Sequence, residues 1–404
     1  MILKIKIIIL VFVLAFFACN DANPLLDAHR DLLNTYGEIH SDTLTAISDT
    51  FIVKGKVNTG GSTKLLLGSY KDYESRFLVK FDSLPENSIS VDTLRLRISS
   101  QGKFGSSLEP TAGTVYRVIE EWDESVNADE NWDFRTKIDY SPQTTKDFVF
   151  SAEDSATFTL DLPTTLIDIW RDSTSGSQNF GLLFDFNQAD FIREFVSSDM
   201  LDEKLVPQLI YIYRDMGLDS VIYDTVLATK DASIIDFKGT FDPEHLYISS
   251  GYTTHVFLKF DFSKIPDNVI LSSVDFILKK DSLNSIVNNN RGQGFYLRNV
   301  TTDLNQLPYY LIDSTFAINS NYIVLLTEET KDQLDLFYST RANVAQNFVQ
   351  SIINKEIQYG SFFLQYTDET NEISVYALRG KDDSIVSFRP KMILEYYLLP
   401  NSRI

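Results

Sequence analysis

Short stretches in which apolar and polar residues alternate recur along most of the chain, and this pattern constrains the fold most strongly. Residues 77–81, 93–98 and 208–213 are examples, each rich in β-branched or aromatic side chains. Alternation with a period of two puts successive side chains on opposite faces of a strand, so that one face is buried. Clusters of Gly, Asn, Asp and Ser separate the stretches, as turns separate strands. The pattern predicts an all-β fold of the β-sandwich or jelly-roll type.

Helical patterns are few. Residues 164–172 carry Leu166, Ile169 and Trp170 on one face of a predicted short helix. In residues 340–356 apolar side chains recur at the spacing of a longer helix. We expect short helices in each half of the chain and a helical insertion in the second half.

A long internal repeat organises the chain. Residues 77–82, with the sequence FLVKFD, reappear about 180 positions later as VFLKFD at residues 256–261. A proline-containing turn and another alternating strand follow each copy. Because several matches occur in the same order, we expect two tandem β-sandwich domains at residues 43–214 and 219–399.

The ends of the two copies match as well. Stretches that begin at Pro207 and Pro390 close the copies with similar alternating residues. At the start, we align residues 49–52 (DTFI) with residues 224–227 (DTVL). A short linker at residues 215–218 joins the two copies.

The first residues have the features of an export signal. Lys4 and Lys6 precede an apolar run at residues 7–18, which is shorter than the roughly 20 residues that cross a bilayer. Ala18 ends the run and Cys19, the only cysteine, follows directly, as in the bacterial lipobox, although Phe17 is bulkier than usual there. We therefore predict a lipoprotein signal peptide at residues 1–18, a lipid on Cys19 and a tether at residues 19–42. The alternative is an ordinary signal peptide cut nearby, with Cys19 left as a thiol.

From this start we expect the protein in the bacterial cell envelope, anchored through its N-terminal lipid to a membrane, with the outer membrane or cell surface favoured. The chain has a net charge of −20. Nucleic acids and anionic lipid surfaces bind basic patches, so we expect no nucleic-acid partner. With a single cysteine the chain has no disulfide, and its stability must come from its core.

The first copy resembles the DNRLRE family of bacterial surface domains, which is grouped with family 96 carbohydrate-binding modules. The resemblance rests on stretches in a fixed order: 77–82 with the proline turn and the strand after it, 115–124 with Trp122, Trp132, 160–170, Gly181-Leu182-Leu183 and 207–213. It implies a β-sandwich that binds polysaccharide or builds extracellular assemblies, and it implies no catalytic centre. The second copy has no Trp, and residues 296–300 are its nearest counterpart to the Trp-bearing stretch.

Sugar binding normally uses the faces of aromatic rings, with polar groups placed around them. In the first copy the candidates are Trp122, Trp132, Tyr116 and Tyr140. The alternative for each Trp is that it plugs one end of the sandwich. Trp170, on the apolar face of the short helix, is assigned to the core.

Motifs for catalysis are missing from the sequence. His245 and His255 lie ten residues apart and are read as turn or surface residues rather than as a shared metal site. Acidic turns at residues 129–130 and 368–369 offer oxygen atoms to Ca²⁺, but no EF-hand spacing supports it, so no cofactor or metal is predicted.

These observations lead to three hypotheses about function. The first is a non-catalytic envelope protein that binds polysaccharide through its sandwich domains. The second is a structural or adhesion lipoprotein that binds another envelope protein. The third is a glycan-active hydrolase that uses carboxylates such as those at residues 120–124.

Overall fold

The structure is a computed structural model that describes residues 38–399, except 87–88, 106, 130–131, 152–156, 173–177, 216–219, 288–293, 301–317, 330–335, 340–341 and 359. The predicted signal peptide, Cys19 and most of the predicted tether lie outside the described residues. Within the described part, no helix is long and apolar enough to cross a membrane.

Strands dominate the described residues. The first half contains β1 (His40–Thr45), β2 (Ser48–Lys56), β3 (Lys64–Tyr70), β4 (Tyr73–Lys80), β5 (Thr93–Phe104), β6 (Thr111–Val118), β7 (Ile138–Asp139), β8 (Lys146–Phe150), β9 (Thr157–Leu162), α1 (Thr165–Arg171), β10 (Leu182–Phe186), β11 (Phe191–Val196) and β12 (Gln208–Asp215). The second half contains β13 (Ser220–Leu227), β14 (Lys230–Phe237), β15 (His245–Ser249), β16 (Tyr252–Lys259), β17 (Val269–Lys279), β18 (Gly294–Val300), β19 (Ile318–Glu329), β20 (Leu336–Ser339), α2 (Ala342–Ile353), β21 (Ser361–Tyr366), β22 (Val375–Arg379) and β23 (Lys391–Leu398).

The strands form two antiparallel β-sandwiches, which confirms the predicted fold class. In the first, the strand order is β13-β12-β5-β11-β3-β4-β10-β6-β7, with β14 on β4, β8 on β6 and β9 on β5. In the second, it is β1-β23-β17-β20-β19-β18-β21-β16-β15-β22, with β2 on β16.

The long strand β5 shows how alternation produces the first sandwich. Leu94, Leu96 and Ile98 are buried, whereas the residues between them are partly exposed. Residues 93–99 pair with β9 and β12, and residues 100–104 pair with β11, so that β5 joins the two layers. The buried side chains meet an aromatic core in which the Phe77 and Phe184 rings stack with their centroids 4.4 Å apart.

Both predicted helices are present and occupy the same place in the strand order. α1 lies between β9 and β10, and α2 lies between β20 and β21. The strand before each helix pairs with the long strand of its sandwich, β9 with β5 and β20 with β17. α1 buries Leu166, Ile167 and Trp170. The longer α2 packs Phe348 and Val349 into the second core.

The two strands that open the chain pair with its last part. β1 pairs with β23 and β2 pairs with β16, whereas β13 and β14 pair with β12 and β4. The first sandwich is therefore a continuous stretch from β3 to β14. The second consists of β15 to β23, completed by β1 and β2. The sheets thus divide the chain at other places than the predicted limits 43–214 and 219–399, because a sequence repeat shows which strands are alike and not which copies pair.

The strand register also shows which of the strands β13 and β14 correspond to β1 and β2. Ser48 lies opposite Lys259, and Lys230 lies opposite Lys80, where Lys80 and Lys259 are matched positions of the repeat. β2 therefore corresponds to β14, and β1 to β13. The predicted alignment of residues 49–52 with residues 224–227 is wrong, since residues 224–227 correspond to residues 42–45 (DTLT) of β1.

An apolar interface joins the two sandwiches. Tyr73 and Ile192 of the first pack in one buried cluster with Tyr247 and Val375 of the second. The crossing segment at residues 57–63 is held by buried polar contacts, including Thr59 Oγ1 to the Ser233 carbonyl at 2.5 Å. The tight contacts on both sides of this crossing indicate that the sandwiches form one packed body.

Candidate functional site

The four predicted aromatic residues all come from one part of the first sandwich. Tyr116 lies on β6, Trp122 and Trp132 lie in the segment between β6 and β7, and Tyr140 directly follows β7. The segment contains two single-turn 3₁₀ helices, Val126–Ala128 and Phe134–Thr136. Trp122 is buried, Trp132 and Tyr116 are half-buried, and Tyr140 is exposed.

Trp122 lies in the core. It is 4% exposed, packs with Val126, Phe134 and Leu183, and donates its indole N–H to the Phe180 carbonyl at 2.7 Å. The Lys230 ammonium lies 4.9 Å from the ring centroid and covers a further part of the indole. A sugar has no access to this ring, so the binding role predicted for Trp122 is contradicted and the alternative of a core plug describes it.

Trp132 is half-buried at the edge of the same cluster. Its indole Nε1 is buried and finds no hydrogen-bond partner within the described part of the chain. Its backbone N–H donates to the Asp129 carbonyl at 3.2 Å. The residues just before Trp132 lie outside the described ones, so we assign it no place in the site.

Tyr116 and Tyr140 form an aromatic pair in which Tyr140 is exposed. Their rings meet edge to face, with centroids 5.4 Å apart and an interplanar angle of 64°. Tyr140 is 60% exposed, and its hydroxyl donates to the Arg135 carbonyl at 3.1 Å, which holds the ring in place. Tyr116 is half-buried on β6. Because one ring supports the other, Tyr140 presents a fixed apolar surface to solvent.

Fixed polar groups surround this pair. Asp185 on β10 lies opposite Thr114, and Thr114 donates to Asp147 Oδ1 at 2.7 Å. Burial, together with the negative charges of Asp185 and Asp147, raises the pKa of Tyr116. We call Tyr116, Tyr140, Thr114, Asp147 and Asp185 the tyrosine surface.

The position of Asp185 depends on an arginine that the sequence reading did not single out. Arg76 Nε on β4 donates to Asp185 Oδ1 at 2.5 Å. Its guanidinium lies 4.9 Å from the ring centroids of both Phe134 and Phe186, which fixes its plane. The signal for Asp185 was a charged side chain in the otherwise apolar strand β10.

The two histidines of the second sandwich each pair with a different carboxylate. His245 Nε2 lies 2.8 Å from Asp281, and His255 Nε2 lies 2.6 Å from Glu369, so each buried histidine has its own carboxylate. Among the described residues, no three His, Cys, Asp or Glu side chains are arranged to hold a metal ion.

The acidic stretch at residues 120–124 forms a surface turn. Glu120 pairs with Lys137 at 2.6 Å, and Asp123 accepts from the Ser125 backbone N–H at 2.8 Å. The Ser125 hydrogen bonds lower the pKa of Asp123. A general acid in a glycosidase needs a raised pKa, so Asp123 does not fit that role.

Comparisons with known proteins add no relative. No protein-family model and no curated protein matches the chain. Among solved structures, one from the Macrobrachium rosenbergii nodavirus covers 90% of this chain and 89% of its own, with 8% sequence identity and a TM-score of 0.13. A similarity at that level carries no argument about fold or function.

Proposed function

We propose that this chain is a non-catalytic, lipid-anchored protein of the bacterial cell envelope whose first sandwich binds polysaccharide. The exposed Tyr140 ring, held edge-on by Tyr116, carries the proposal. Sugars offer apolar C–H faces that pack on such rings and hydroxyls that bind fixed polar groups. Asp147 and Asp185 supply acceptors beside the pair.

The shape of the surface suits a chain rather than a small molecule. Tyr116 and Thr114 lie on β6, Asp147 lies on the neighbouring β8 and Asp185 on the neighbouring β10. The groups are therefore spread across three adjacent strands of one sheet. An extended glycan crossing these strands would contact the ring and the carboxylates together.

A sedimentation assay with insoluble polysaccharides tests the proposal. The folded chain is mixed with a panel that includes cellulose, xylan, mannan and β-1,3-glucan, and the bound fraction is measured. We expect retention on at least one of them and a smaller bound fraction for Tyr140→Ala than for wild type. Tyr223→Ala is the matched control, because Tyr223 is 68% exposed and lies on β13, outside the tyrosine surface. Equal retention of wild type and Tyr140→Ala, or no retention on any polysaccharide, contradicts the proposal.

A further inference from the structure

The second sandwich contains a cleft beside the strands that complete it. The cleft has a volume of about 460 Å³, within the range of small-ligand sites. Its lining comes from β2, from the start of β15 and from the end of β22 with the loop after it: Asp49, Glu244, His245, Arg379, Lys381 and Asp383. We call it the junction cleft.

A second hollow extends the junction cleft. It has a volume of about 430 Å³ and shares Lys381 and Asp382 with the first. Its other side follows the turn between β1 and β2, at Ala46 and Ile47. The two hollows therefore adjoin at Lys381 and Asp382, beside the opening strand pair.

A buried carboxylate fixes two of the cleft's side chains. Asp281 is 5% exposed, lies 2.8 Å from His245 Nε2 and accepts from Arg379 Nη2 at 2.9 Å. Burial opposes its ionisation, but hydrogen bonds from Asn284 and His245 and the charge of Arg379 lower the pKa of Asp281. Because the carboxylate stays charged, it holds both side chains in place.

His245 keeps one ring nitrogen available. The residue is 7% exposed, and its Nδ1 makes no hydrogen bond within the described part of the chain. The nearest carboxylate to Nδ1 is Asp242, at 3.5 Å. A buried polar atom without a hydrogen-bond partner is satisfied when a ligand or water binds beside it, and His245 is one of the residues that line the cleft.

The opening strand β2 completes the wall. Asp49 accepts from the Lys381 backbone N–H at 2.5 Å, and burial raises the pKa of Asp49. In the first sandwich the corresponding residue is Asp231, which is fully buried. The same position of the repeat therefore faces a cleft in the second sandwich and the interior in the first.

The lining selects the class of ligand. Arg379 and Lys381 are donors, whereas Asp49, Glu244, Asp382 and Asp383 are acceptors and would repel an anion. Among the described residues, no Phe, Tyr or Trp side chain lines the junction cleft. A sugar hydroxyl both donates and accepts a hydrogen bond, so it suits a wall where donors and acceptors are close together.

We propose that the junction cleft is a second binding site, which takes an uncharged, hydroxyl-rich saccharide segment. It is independent of the tyrosine surface, because it lies in the other sandwich and uses hydrogen bonds in place of ring contacts. It also gives the second sandwich a binding role that its lack of tryptophan did not suggest.

Calorimetric titration of the full chain tests this site. The chain carries Tyr140→Ala to silence the tyrosine surface, and the probes are cellohexaose, xylohexaose, mannohexaose and laminarihexaose. We expect one of these neutral probes to bind with one-to-one stoichiometry. Glu244→Gln and Lys381→Gln should each weaken it about tenfold, the size expected for loss of a hydrogen bond to a charged group. Glu356→Gln, an exposed acid of the second sandwich outside the cleft, should leave it unchanged.

The charged probes are hexamers of glucosamine and of galacturonic acid, and both should bind more weakly than the neutral one. The proposal is overturned if no neutral probe binds, if Glu244→Gln and Lys381→Gln leave the affinity unchanged, or if a charged hexamer binds more tightly. Thermal unfolding of each variant shows that it is folded. Failure of the tyrosine surface would instead appear as unchanged polysaccharide retention in Tyr140→Ala.

Discussion

Replacing Asp231 with asparagine should make the protein more stable at alkaline pH. Asp231 lies on β14 and is fully buried. Its Oδ2 accepts from the Ser198 backbone N–H at 2.5 Å, while its Oδ1 has no hydrogen-bond partner in the part of the chain that the structure describes. Burial, with Asp199 and Glu124 nearby, raises the pKa of Asp231 to about 7.

The size and sign of the effect follow from proton linkage. In the unfolded chain the Asp231 carboxyl has its ordinary pKa of 3.8, so the folded state binds its proton more tightly. Protonated Asp231 does not oppose folding, so its full contribution to the free energy of unfolding is present below pH 3.8. That contribution is lost as the pH rises through about 7. At about 1.36 kcal/mol per pKa unit the loss is at most about 4 kcal/mol.

Asparagine keeps the shape of the side chain without its charge. Asp231→Asn should therefore exceed wild type by about 2–4 kcal/mol at pH 8 and by less than about 1 kcal/mol at pH 4. Urea unfolding followed by the fluorescence of Trp122 and Trp170, extrapolated linearly to water at each pH, measures the difference. Asp224→Asn, an exposed carboxylate on β13, is the control and should show no such trend. A stability difference between Asp231→Asn and wild type that is the same at all pH values would refute the reasoning.

Four further predictions concern the fold and the anchor. Deleting residues 38–56 should remove the strands that pair with β16 and β23. The shortened chain should then aggregate in gel filtration, and a peptide of the deleted residues should restore the monomer. A folded monomer without the peptide contradicts this. Residues 57–237 alone should give a folded monomer by circular dichroism and gel filtration, and an unfolded product contradicts the continuous first sandwich. In urea unfolding, Trp122→Ala should cost about 3–5 kcal/mol and Tyr140→Ala at most about 0.5 kcal/mol, and equal costs would contradict their different burial. Cys19→Ser should move the protein from the membrane fraction to the soluble fraction of cells, and an unchanged distribution contradicts lipidation.

Local patterns predicted the strands and helices well, because the spacing of apolar residues shows which face of an element is buried. The alternation of Leu94, Leu96 and Ile98 in β5 and the helical spacing around Phe348 both appear in the structure. Pairing between distant strands is different, since a period of two says which face is buried and not which strand lies alongside. The return of β1 and β2 to the second sandwich therefore had no signal in the sequence.

The candidate site was predictable in part. Tyr116 and Tyr140 are brought together as a pair with Tyr140 exposed, but Trp122 is buried because β14 and its Lys230 cover it. That covering strand comes from the start of the second repeat, so a reading of the first repeat alone misses it. Arg76 and Asp185 were missed for a different reason, since they lie 109 residues apart in the first repeat and meet only when β4 and β10 pair.

Binding of polysaccharide at the tyrosine surface is tested most directly by nuclear magnetic resonance of the tyrosine ring signals. The chain is labelled on its tyrosine rings and titrated with a soluble form of the polysaccharide that retains it. We predict saturable shifts for Tyr116 and Tyr140 and none for Tyr223, which is exposed elsewhere on the first sandwich. Saturable binding that leaves the Tyr116 and Tyr140 signals unchanged would contradict the claim.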